Sequence, residues 1–309
     1  MSGILITGAA GMVGRALVEE LAEADIVATD LSRGGLAEDV PFRPMDVTGE
    51  DPERVIGKVR PDVVVHLASI VTPPPGMGRE AAFAVDVTGT RNVLDACVKY
   101  GVRRLVVTSS GAAYGYHADN PVPLRESDPC RGNPEFAYSD HKRQVEEMLA
   151  EARAAHPALE QVVLRVGTVL GAGVENQITA LFHQSKMLAI RGSDSPFVFI
   201  WTRDLARILK RAATDGPAGV FNVAGDGWLG VDQLAQTLRK PVLRLPAWAV
   251  KAALGLAHPF GLSRYGPEQV RFLQFRPVLA NDRLKDVFGY VPELTSAEVF
   301  GLWQREAGL

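Results

Sequence analysis

A tyrosine and a lysine stand four positions apart in the segment 138–142, which reads YSDHK. A helix with this spacing places the Tyr138 phenol and the Lys142 ammonium on one face, one turn apart. A neighbouring ammonium favours the phenolate, so we expect Lys142 to lower the pKa of Tyr138 from its usual ~10 towards the range of a general base. The pair predicts proton exchange with a substrate hydroxyl, while an amphipathic surface pair would show the same spacing.

Two serines, Ser109 and Ser110, follow the apolar run Arg104 to Thr108. If that run is a strand, the serines lie at the carboxyl edge of a sheet, where open α/β folds bind their ligands. A serine there can orient a substrate oxygen and stabilise its developing charge, although a turn would also use such serines. A hydrolase nucleophile is the rival chemistry, but the chain lacks a G-x-S-x-G elbow and no His or Asp is marked as a relay.

A glycine cluster lies where the first predicted strand turns into the first predicted helix, at Gly8, Gly11 and Gly14. Gly8 permits a tight turn, Gly11 lets the backbone approach a pyrophosphate, and Gly14 lets helix and strand pack closely. The helix N-terminus at Met12 and Val13 supplies free N–H donors. A purely structural turn would also explain the glycines.

Asp30 stands 22 positions beyond Gly8, at the end of the second predicted strand and before Leu31. A carboxylate there accepts hydrogen bonds from an adenosine ribose and repels a 2′-phosphate. We therefore expect NAD as the cofactor; Arg33 keeps NADP as the less favoured alternative. A cap that starts a loop is the other explanation of Asp30.

The surrounding elements predict an α/β fold, because short apolar runs alternate with helical patterns. Runs without polar alternation are typical of strands covered on both faces, which indicates a Rossmann-type, doubly wound parallel sheet with a smaller C-terminal substrate-binding lobe. We expect residues 1–170 to bind NAD and residues 171–309 mainly to bind substrate, partly returning to the first domain. The predicted strands are Gly3 to Thr7, Asp25 to Thr29, Asp62 to Leu67, Arg104 to Thr108 and Gln161 to Val166; the predicted helices include Met12 to Ala24, Arg79 to Tyr100 and Tyr138 to Ala155.

Composition favours small-molecule chemistry. The chain has 309 residues, 47% of them hydrophobic, and a net charge of -3, so nucleic acid and acidic membrane surfaces are not expected partners. Cys97 and Cys130 are the two cysteines, which favours a reducing, cytoplasmic compartment. We expect no signal peptide and no membrane span, since the apolar stretch Trp248 to Leu256 is too short and suits a pocket wall or an interface. The histidines show no metal-ligand spacing, so no metal is predicted; we expect His141 to face outwards and His66 to lie on a strand of the cleft.

Together these motifs resemble the extended short-chain dehydrogenase/reductase family, also called the NAD-dependent epimerase/dehydratase family, over nearly the whole chain. The resemblance implies that Tyr138 is the acid/base, that Lys142 also holds the nicotinamide ribose and that Ser110 orients the substrate. Hydride would then pass between a carbinol or ketone carbon and the nicotinamide. By this resemblance the further cofactor-binding residues are Asp46 and Val47 at the adenine, Leu67, Ala68, Ser69, Asp86, Thr108 and Ser109 along the cleft, and Val166, Gly167 and Thr168 beside the nicotinamide. The family usually has Asn where this chain has Asp86.

The resemblance also bears on the substrate. Gly111 and Ala112 replace the acidic residues of dehydratase relatives, so elimination is not expected. An Arg that clamps a diphosphate is missing at 195–197, although Arg191, Arg203 or Arg276 could substitute. We therefore expect a substrate other than a typical nucleotide sugar, and aromatic residues of the C-terminal lobe would suit an apolar ketone or alcohol, unless they merely pack the core. These aromatics are Trp201, Trp228, Trp248, Phe260 and Phe272, and the expected substrate-binding residues are Ser110, Ala112, Tyr138, Thr168 and Trp201.

Three functions remain open at this point. The favoured one is a dehydrogenase or reductase with net turnover of cofactor. The second is a nucleotide-sugar epimerase that retains NAD, and the third is a protein that senses NAD without catalysis. The resemblance further implies a homodimer, paired through the helices Arg79 to Tyr100 and Tyr138 to Ala155.

Overall fold

The computed structural model describes residues 3–74, 76–263 and 266–309, and within them seven parallel strands form one central sheet. The strands in chain order are β1 (Ile4–Thr7), β2 (Ile26–Asp30), β3 (Phe42–Pro44), β4 (Val63–His66), β5 (Arg104–Ser110), β6 (Glu160–Val166), β7 (Thr168–Leu170), β8 (Met187–Ile190), β9 (Phe199–Trp201), β10 (Gly219–Val223) and β11 (Val242–Leu245). The central sheet has the order β10-β6-β5-β4-β1-β2-β3. The strand order reverses between β1 and β4, which is where a doubly wound sheet opens a crevice for ligands.

The helices cover both faces of this sheet. In chain order they are α1 (Met12–Glu20), α2 (Asp51–Val59), α3 (Arg79–Phe83), α4 (Gly89–Tyr100), α5 (Ala137–Ala155), α6 (Gln177–His183), α7 (Thr202–Ala213), α8 (Val231–Leu238), α9 (Ala247–Ala257), α10 (Gln269–Gln274), α11 (Asp282–Asp286) and α12 (Ser296–Glu306). Helices α1 and α7 pack on one face, and α2, α4 and α5 pack on the other. The predicted Rossmann-type fold class is confirmed.

The apolar runs of the sequence fill two cores because successive side chains of a strand point to opposite faces. In β1, Ile4 and Ile6 enter the core beneath α1 and α7, whereas Leu5 enters the core beneath α2, α4 and α5. Both faces exclude water, so an uninterrupted apolar run is the stable sequence for such a strand.

The structure departs from several of the predicted elements. The helix expected from Met12 to Ala24 ends at Glu20. The expected single helix from Arg79 to Tyr100 is divided into α3, a π-helical turn over Ala84–Thr88, and α4. The sequence reading also omitted β3 and α2.

The segment after residue 170 contributes to both parts of the molecule. Strand β10 joins the central sheet beside β6, and α7 packs against α1. The remainder forms two small sheets, β7-β9 and β8-β11, around an aromatic core that includes Phe182, Phe199 and Trp303. Within the described ranges, no helix has the length and apolar character needed to cross a membrane.

Candidate active site

A cavity of about 610 Å³ opens at the carboxyl ends of the central strands. One wall comes from the ends of β5 and β6, and the opposite wall from the loops before α6 and after α10. This cavity brings together Ser110, Tyr138 and Lys142, which the sequence places in separate segments. Other predicted residues on its lining are Met12, Val13, Leu67, Ser69, Thr108, Ser109, Ala112, Val166, Gly167 and Thr168.

The glycine turn has the shape that a dinucleotide pyrophosphate requires. Gly8 has a φ of +66°, and a Cβ added there would lie 2.7 Å from the Ala68 nitrogen. A Cβ on Gly14 would lie 2.4 Å from the Gly8 carbonyl oxygen. Gly11, by contrast, would meet only that oxygen, at 3.2 Å, so its outer side is open. No side chain caps α1, so the first-turn N–H groups are available to an anion, and the residues present fit the cofactor.

The Asp30 carboxylate is held at the end of β2 by backbone donors. Its Oδ2 accepts from the Ala10 nitrogen at 3.0 Å and its Oδ1 from the Leu31 nitrogen at 2.8 Å. Each oxygen keeps a lone pair for a ribose hydroxyl. The Arg33 guanidinium is already bound to the Ala37 and Val40 carbonyl oxygens, so it is less available to a 2′-phosphate than the sequence suggested.

The substitution Asp30→Asn tests this placement. It keeps the size and one acceptor oxygen of the side chain but removes the charge that would repel a 2′-phosphate, so the preference for NAD over NADP should fall by ~10-fold or more. Calorimetric titration with both cofactors measures the ratio, and Asp39→Asn is the matched surface control. An unchanged ratio in Asp30→Asn would show that the carboxylate does not face the ribose.

The remaining predicted adenine-side residues lie away from the cavity lining. The Asp46 carboxylate accepts from the Thr48 backbone nitrogen, at 2.9 Å, and side chain. Val47 is buried and would contact any Cβ added at Gly89. Leu31 is exposed. Their role in binding NAD stays a prediction.

A chain of hydrogen bonds fixes the cleft strand β4 to its neighbours. Thr90 donates to the Asp86 carbonyl oxygen at 2.6 Å, so the His66 Nε2–H must donate to Thr90, 3.0 Å away. The other ring nitrogen, Nδ1, then accepts from Thr7 at 2.7 Å. Burial lowers the pKa of His66 to about 3, with a further contribution from Lys142, so the ring is neutral and serves as a rigid connector.

Helix α5 is anchored so that its first turn faces the cavity. Ser139 donates to the Ala112 carbonyl oxygen at 2.7 Å. The buried Arg165 of β6 binds both carboxylate oxygens of Glu146, at 2.9 and 3.0 Å. A bidentate pair of this kind fixes orientation as well as distance. The sequence reading used neither contact, although the spacing of Glu146 from Lys142 puts both on one helix face.

Ser110, Tyr138 and Lys142 lie together on the lining of the cavity. The Lys142 ammonium donates to the Thr108 carbonyl oxygen at 3.0 Å and lies 5.7 Å from the centre of the Tyr138 ring. The Ser110 hydroxyl accepts from the Ala112 nitrogen and so caps the short 3-10 turn Gly111–Tyr114. The hydroxyl of the neighbouring Ser109 is buried and has no hydrogen-bond partner among the described residues.

The pKa of Tyr138 differs from the one predicted from the sequence. Burial raises the pKa of Tyr138 to about 12, a hydrogen bond with Ser110 opposes the rise, and the Asp86 charge adds to it. Burial also lowers the pKa of Lys142, against the attraction of Asp86 and Glu146. The pKa of Tyr138 is therefore raised and not lowered as expected, because desolvation by burial is the dominant effect.

Two side chains lie elsewhere than predicted. His141 does not face outwards: it is fully buried and its Nδ1 lies 3.1 Å from Asp86 Oδ2. Trp201 does not line the cavity: it packs on the aromatic core of the C-terminal segment, with the Arg203 guanidinium 5.2 Å from its ring centre. Helical periodicity alone did not predict the burial of His141, because the face of α5 that carries it packs against the π-helical turn Ala84–Thr88.

Several lining residues were missed or left undecided by sequence reasoning. Tyr116, Phe136 and Phe272 form one aromatic cluster, with ring centres 5.2 to 6.3 Å apart. Arg276 also lines the cavity, although only its residue type had marked it as a candidate. In the described ranges, no cluster of three or more His, Cys, Asp or Glu residues could hold a metal ion.

The sequence is similar to a protein family and to several known proteins. A model of the NAD dependent epimerase/dehydratase family matches residues 4–224. An uncharacterized protein of Mycobacterium tuberculosis is 27% identical over 99% of this chain and 84% of its own length. The sterol-4-alpha-carboxylate 3-dehydrogenase, decarboxylating, of Saccharomyces cerevisiae is 30% identical over 65% of this chain and 61% of the relative.

The fold has close counterparts among solved structures. A UDP-glucose 4-epimerase of Thermotoga maritima, solved with UDP-glucose, superposes with a TM-score of 0.76, covering 99% of this chain and 98% of that one at 22% identity. This likeness supports the architecture, and the family match confirms the predicted NAD-dependent enzyme. Because that match spans well over half of the sequence, the chain belongs to the NAD dependent epimerase/dehydratase family.

Proposed function

We propose that the protein is a dehydrogenase or reductase whose substrate combines an apolar body, a secondary alcohol or ketone, and an anionic group such as a carboxylate. The side chain of Arg276 is the observation that supports the anionic group of the substrate. Its Nη1 donates to the Ser195 carbonyl oxygen and hydroxyl, at 2.6 and 3.0 Å, while its Nε has no partner among the described residues.

The surroundings of Arg276 are aromatic and, among the described residues, provide no acidic partner for its charge. The guanidinium lies 3.8 Å from the ring centre of Phe197 and 5.0 Å from that of Phe272. Burial lowers its pKa to about 9, and Tyr116 partly offsets this. No acidic side chain pairs with it among the described residues. A buried unpaired cation is costly, so an anion that enters the cavity would gain a strong charge-assisted bond.

The rest of the lining supports an apolar body for the substrate. Side chains from the segment after residue 170, including Val174, Ile178 and Leu279, face the same cavity. This supports the assignment of residues 171–309 mainly to substrate binding. The sterol dehydrogenase relative is named for an apolar substrate that bears a carboxylate, in line with this combination of wall and cation.

The chemistry assigned to the site uses three side chains. The cofactor, when bound, would supply the hydride acceptor for oxidation as NAD⁺ and the hydride donor for reduction as NADH. Tyr138 exchanges the proton of the substrate oxygen, Ser110 orients that oxygen, and Lys142 holds the cofactor ribose. Because burial raises the pKa of Tyr138, the phenolate that accepts the substrate proton is scarce at neutral pH, so oxidation should become faster as the pH rises, which the pH profile of the initial rate measures.

The experiment is a screen for net change in NADH absorbance with hydroxy acids and keto acids, alongside their uncharged amides. We expect turnover of the acids. Arg276→Met should raise KM for an acid by ~100-fold, the value of one charged hydrogen bond, and change KM for the amide far less. Arg203→Met is the control, since Arg203 also lies over an aromatic ring but outside the cavity.

A nucleotide-sugar epimerase is the alternative that this screen can expose. It would show tightly retained NAD, no net NADH and a nucleotide sugar among the ligands that co-purify, as identified by mass spectrometry. Turnover of amides and acids with equal KM would reject the role of Arg276 while leaving the dehydrogenase assignment intact. Absence of catalysis with NAD bound would favour a sensor.

We further propose a homodimer, as the family resemblance implies. Helices α4 and α5 lie on the same face of the sheet and each keeps a solvent-facing side for a second copy, α4 with Arg91 and Asp95 and α5 with Glu147. Sedimentation at micromolar concentration should give a dimer; a monomer alone would contradict the proposal.

A further inference from the structure

Asp86 and His141 form a buried ionisable pair that the proposed chemistry does not use. Their side chains are 0% and 1% exposed, and Asp86 Oδ2 lies 3.1 Å from His141 Nδ1. The ring edge of His141 meets Phe83, with ring centres 5.4 Å apart. Its Nε2 has no hydrogen-bond partner among the described residues. Buried polar groups are normally satisfied, so a pair retained here calls for a reason other than packing.

Asp86 is fixed directly behind the cavity wall. It belongs to the π-helical turn Ala84–Thr88, and its Oδ1 accepts from the Ser69 hydroxyl and the Ile70 nitrogen, each at 2.8 Å. Ser69 and Ile70 both line the cavity. The carboxylate is therefore one residue layer away from the space that holds the reacting groups.

The Asp86 carboxylate is ionised. Burial alone would raise its pKa, but the His141 hydrogen bond, the attraction of Lys142 and the bonds from Ile70 and Ser69 outweigh it and hold the pKa below its usual value. A carboxylate can only accept, so His141 Nδ1 carries a hydrogen and donates it to Asp86. His141 thereby stabilises the charge of Asp86.

The charged and titratable groups around Asp86 are those of the catalytic site. The negative charge of Asp86 favours the ammonium form of Lys142 and disfavours the phenolate form of Tyr138. His66 is neutral and acts only as a connector. Glu146 adds to the field at Lys142, but it is bound by Arg165.

We propose that Asp86 and His141 form a positioning pair, which holds a fixed negative charge behind the catalytic side chains and sets the pH range over which Tyr138 exchanges its proton. Ser69 and the backbone of Ile70 hold the carboxylate in place, and His141 holds it ionised. The charge of Asp86 adds to the effect of burial in disfavouring the Tyr138 phenolate, and it opposes the effect of burial on the Lys142 ammonium. It acts through these two residues and needs no contact with the substrate.

The test follows the Tyr138 phenol by carbon-13 NMR of protein labelled at tyrosine Cζ, without any substrate. Tyr138→Phe identifies the signal among the six tyrosines. In Asp86→Asn the side-chain shape is kept and the charge is lost, so the midpoint of Tyr138 should fall by about one pH unit, as expected for removal of a nearby like charge. Asp62→Asn, a surface carboxylate bound to Arg103, should leave it unchanged.

A second pair of variants keeps the proposal testable if Asp86→Asn does not fold. Asp86→Ser removes the same charge with a smaller side chain and should shift the Tyr138 midpoint in the same direction, whereas Asp86→Glu, which keeps a carboxylate, should leave the midpoint nearer the wild-type value. A merely structural role would change the melting temperature without this rescue of the titration. An unchanged Tyr138 midpoint in a folded Asp86→Asn or Asp86→Ser protein would overturn the proposal. Since the readout needs no turnover, either result is independent of which substrate the screen finds.

Discussion

Tyr138→Phe is expected to abolish turnover while NAD still binds. The substitution removes the one hydroxyl that can pass a proton to or from the substrate oxygen, and proton transfer of this kind contributes ~10²–10⁴-fold to a rate. The aromatic ring that lines the cavity is retained, so the shape of the site should not change. Steady-state rates with any alcohol or ketone that the wild-type protein converts, together with calorimetric titration of NAD, measure both halves of the expectation.

The control for this variant is Tyr100→Phe. Tyr100 ends α4, and its ring contacts Arg60 rather than the cavity. It should retain the wild-type rate. Near-normal turnover in Tyr138→Phe would reject the assigned acid/base, and loss of NAD binding along with the rate would mean that the phenol serves the cofactor site instead.

Gly14→Ala is expected to destabilise the fold and remove NAD binding together. The added methyl would lie 2.4 Å from the Gly8 carbonyl oxygen and 2.6 Å from Ala9, and both contacts are with backbone that cannot rotate away. Overpacking of this kind costs about 1–3 kcal/mol, and the helix can relieve it only by moving away from the glycine turn. Thermal unfolding with and without NAD measures the loss of stability and of cofactor.

Gly11→Ala is the matched variant in the same turn. Its methyl meets only one atom, at 3.2 Å, and Gly11 has an ordinary φ of −67°, so the fold should keep nearly its full stability. The methyl would nevertheless project into the space left for the pyrophosphate, and NAD affinity should fall by ~10-fold or more. Equal losses of stability in both variants would show that the open side of Gly11 is not a ligand surface.

Sequence reasoning was most successful where local chemistry and position along the chain coincide. The glycine turn follows β1, Asp30 ends β2 and the two serines end β5, and parallel strands bring those ends to one edge. An apolar run that lacks alternation already implies cover on both faces. For these residues, a position at the end of a predicted strand already indicated the edge of the sheet at which the cavity lies.

The same reasoning failed where burial depends on partners distant in sequence. His141 has the spacing of a surface residue on α5, yet Asp86, 55 positions earlier, receives it inside the protein. Trp201 has the composition of a substrate contact, but β7 and α12 cover it. Neither outcome can be read from spacing, because each is decided by which helix packs against which.

The sequence by itself determined the parallel sheet, the dinucleotide turn and the tyrosine and lysine on one helix face, because periodicity and glycine placement are local consequences of backbone geometry. The tertiary structure alone decided the electrostatics. It placed Arg276 between two aromatic rings and Asp86 behind the cavity wall, and it raised the pKa of Tyr138 instead of lowering it. The physical reason is that the cost of burying a charge depends on every group packed around it, and that packing is assembled from segments the chain keeps far apart.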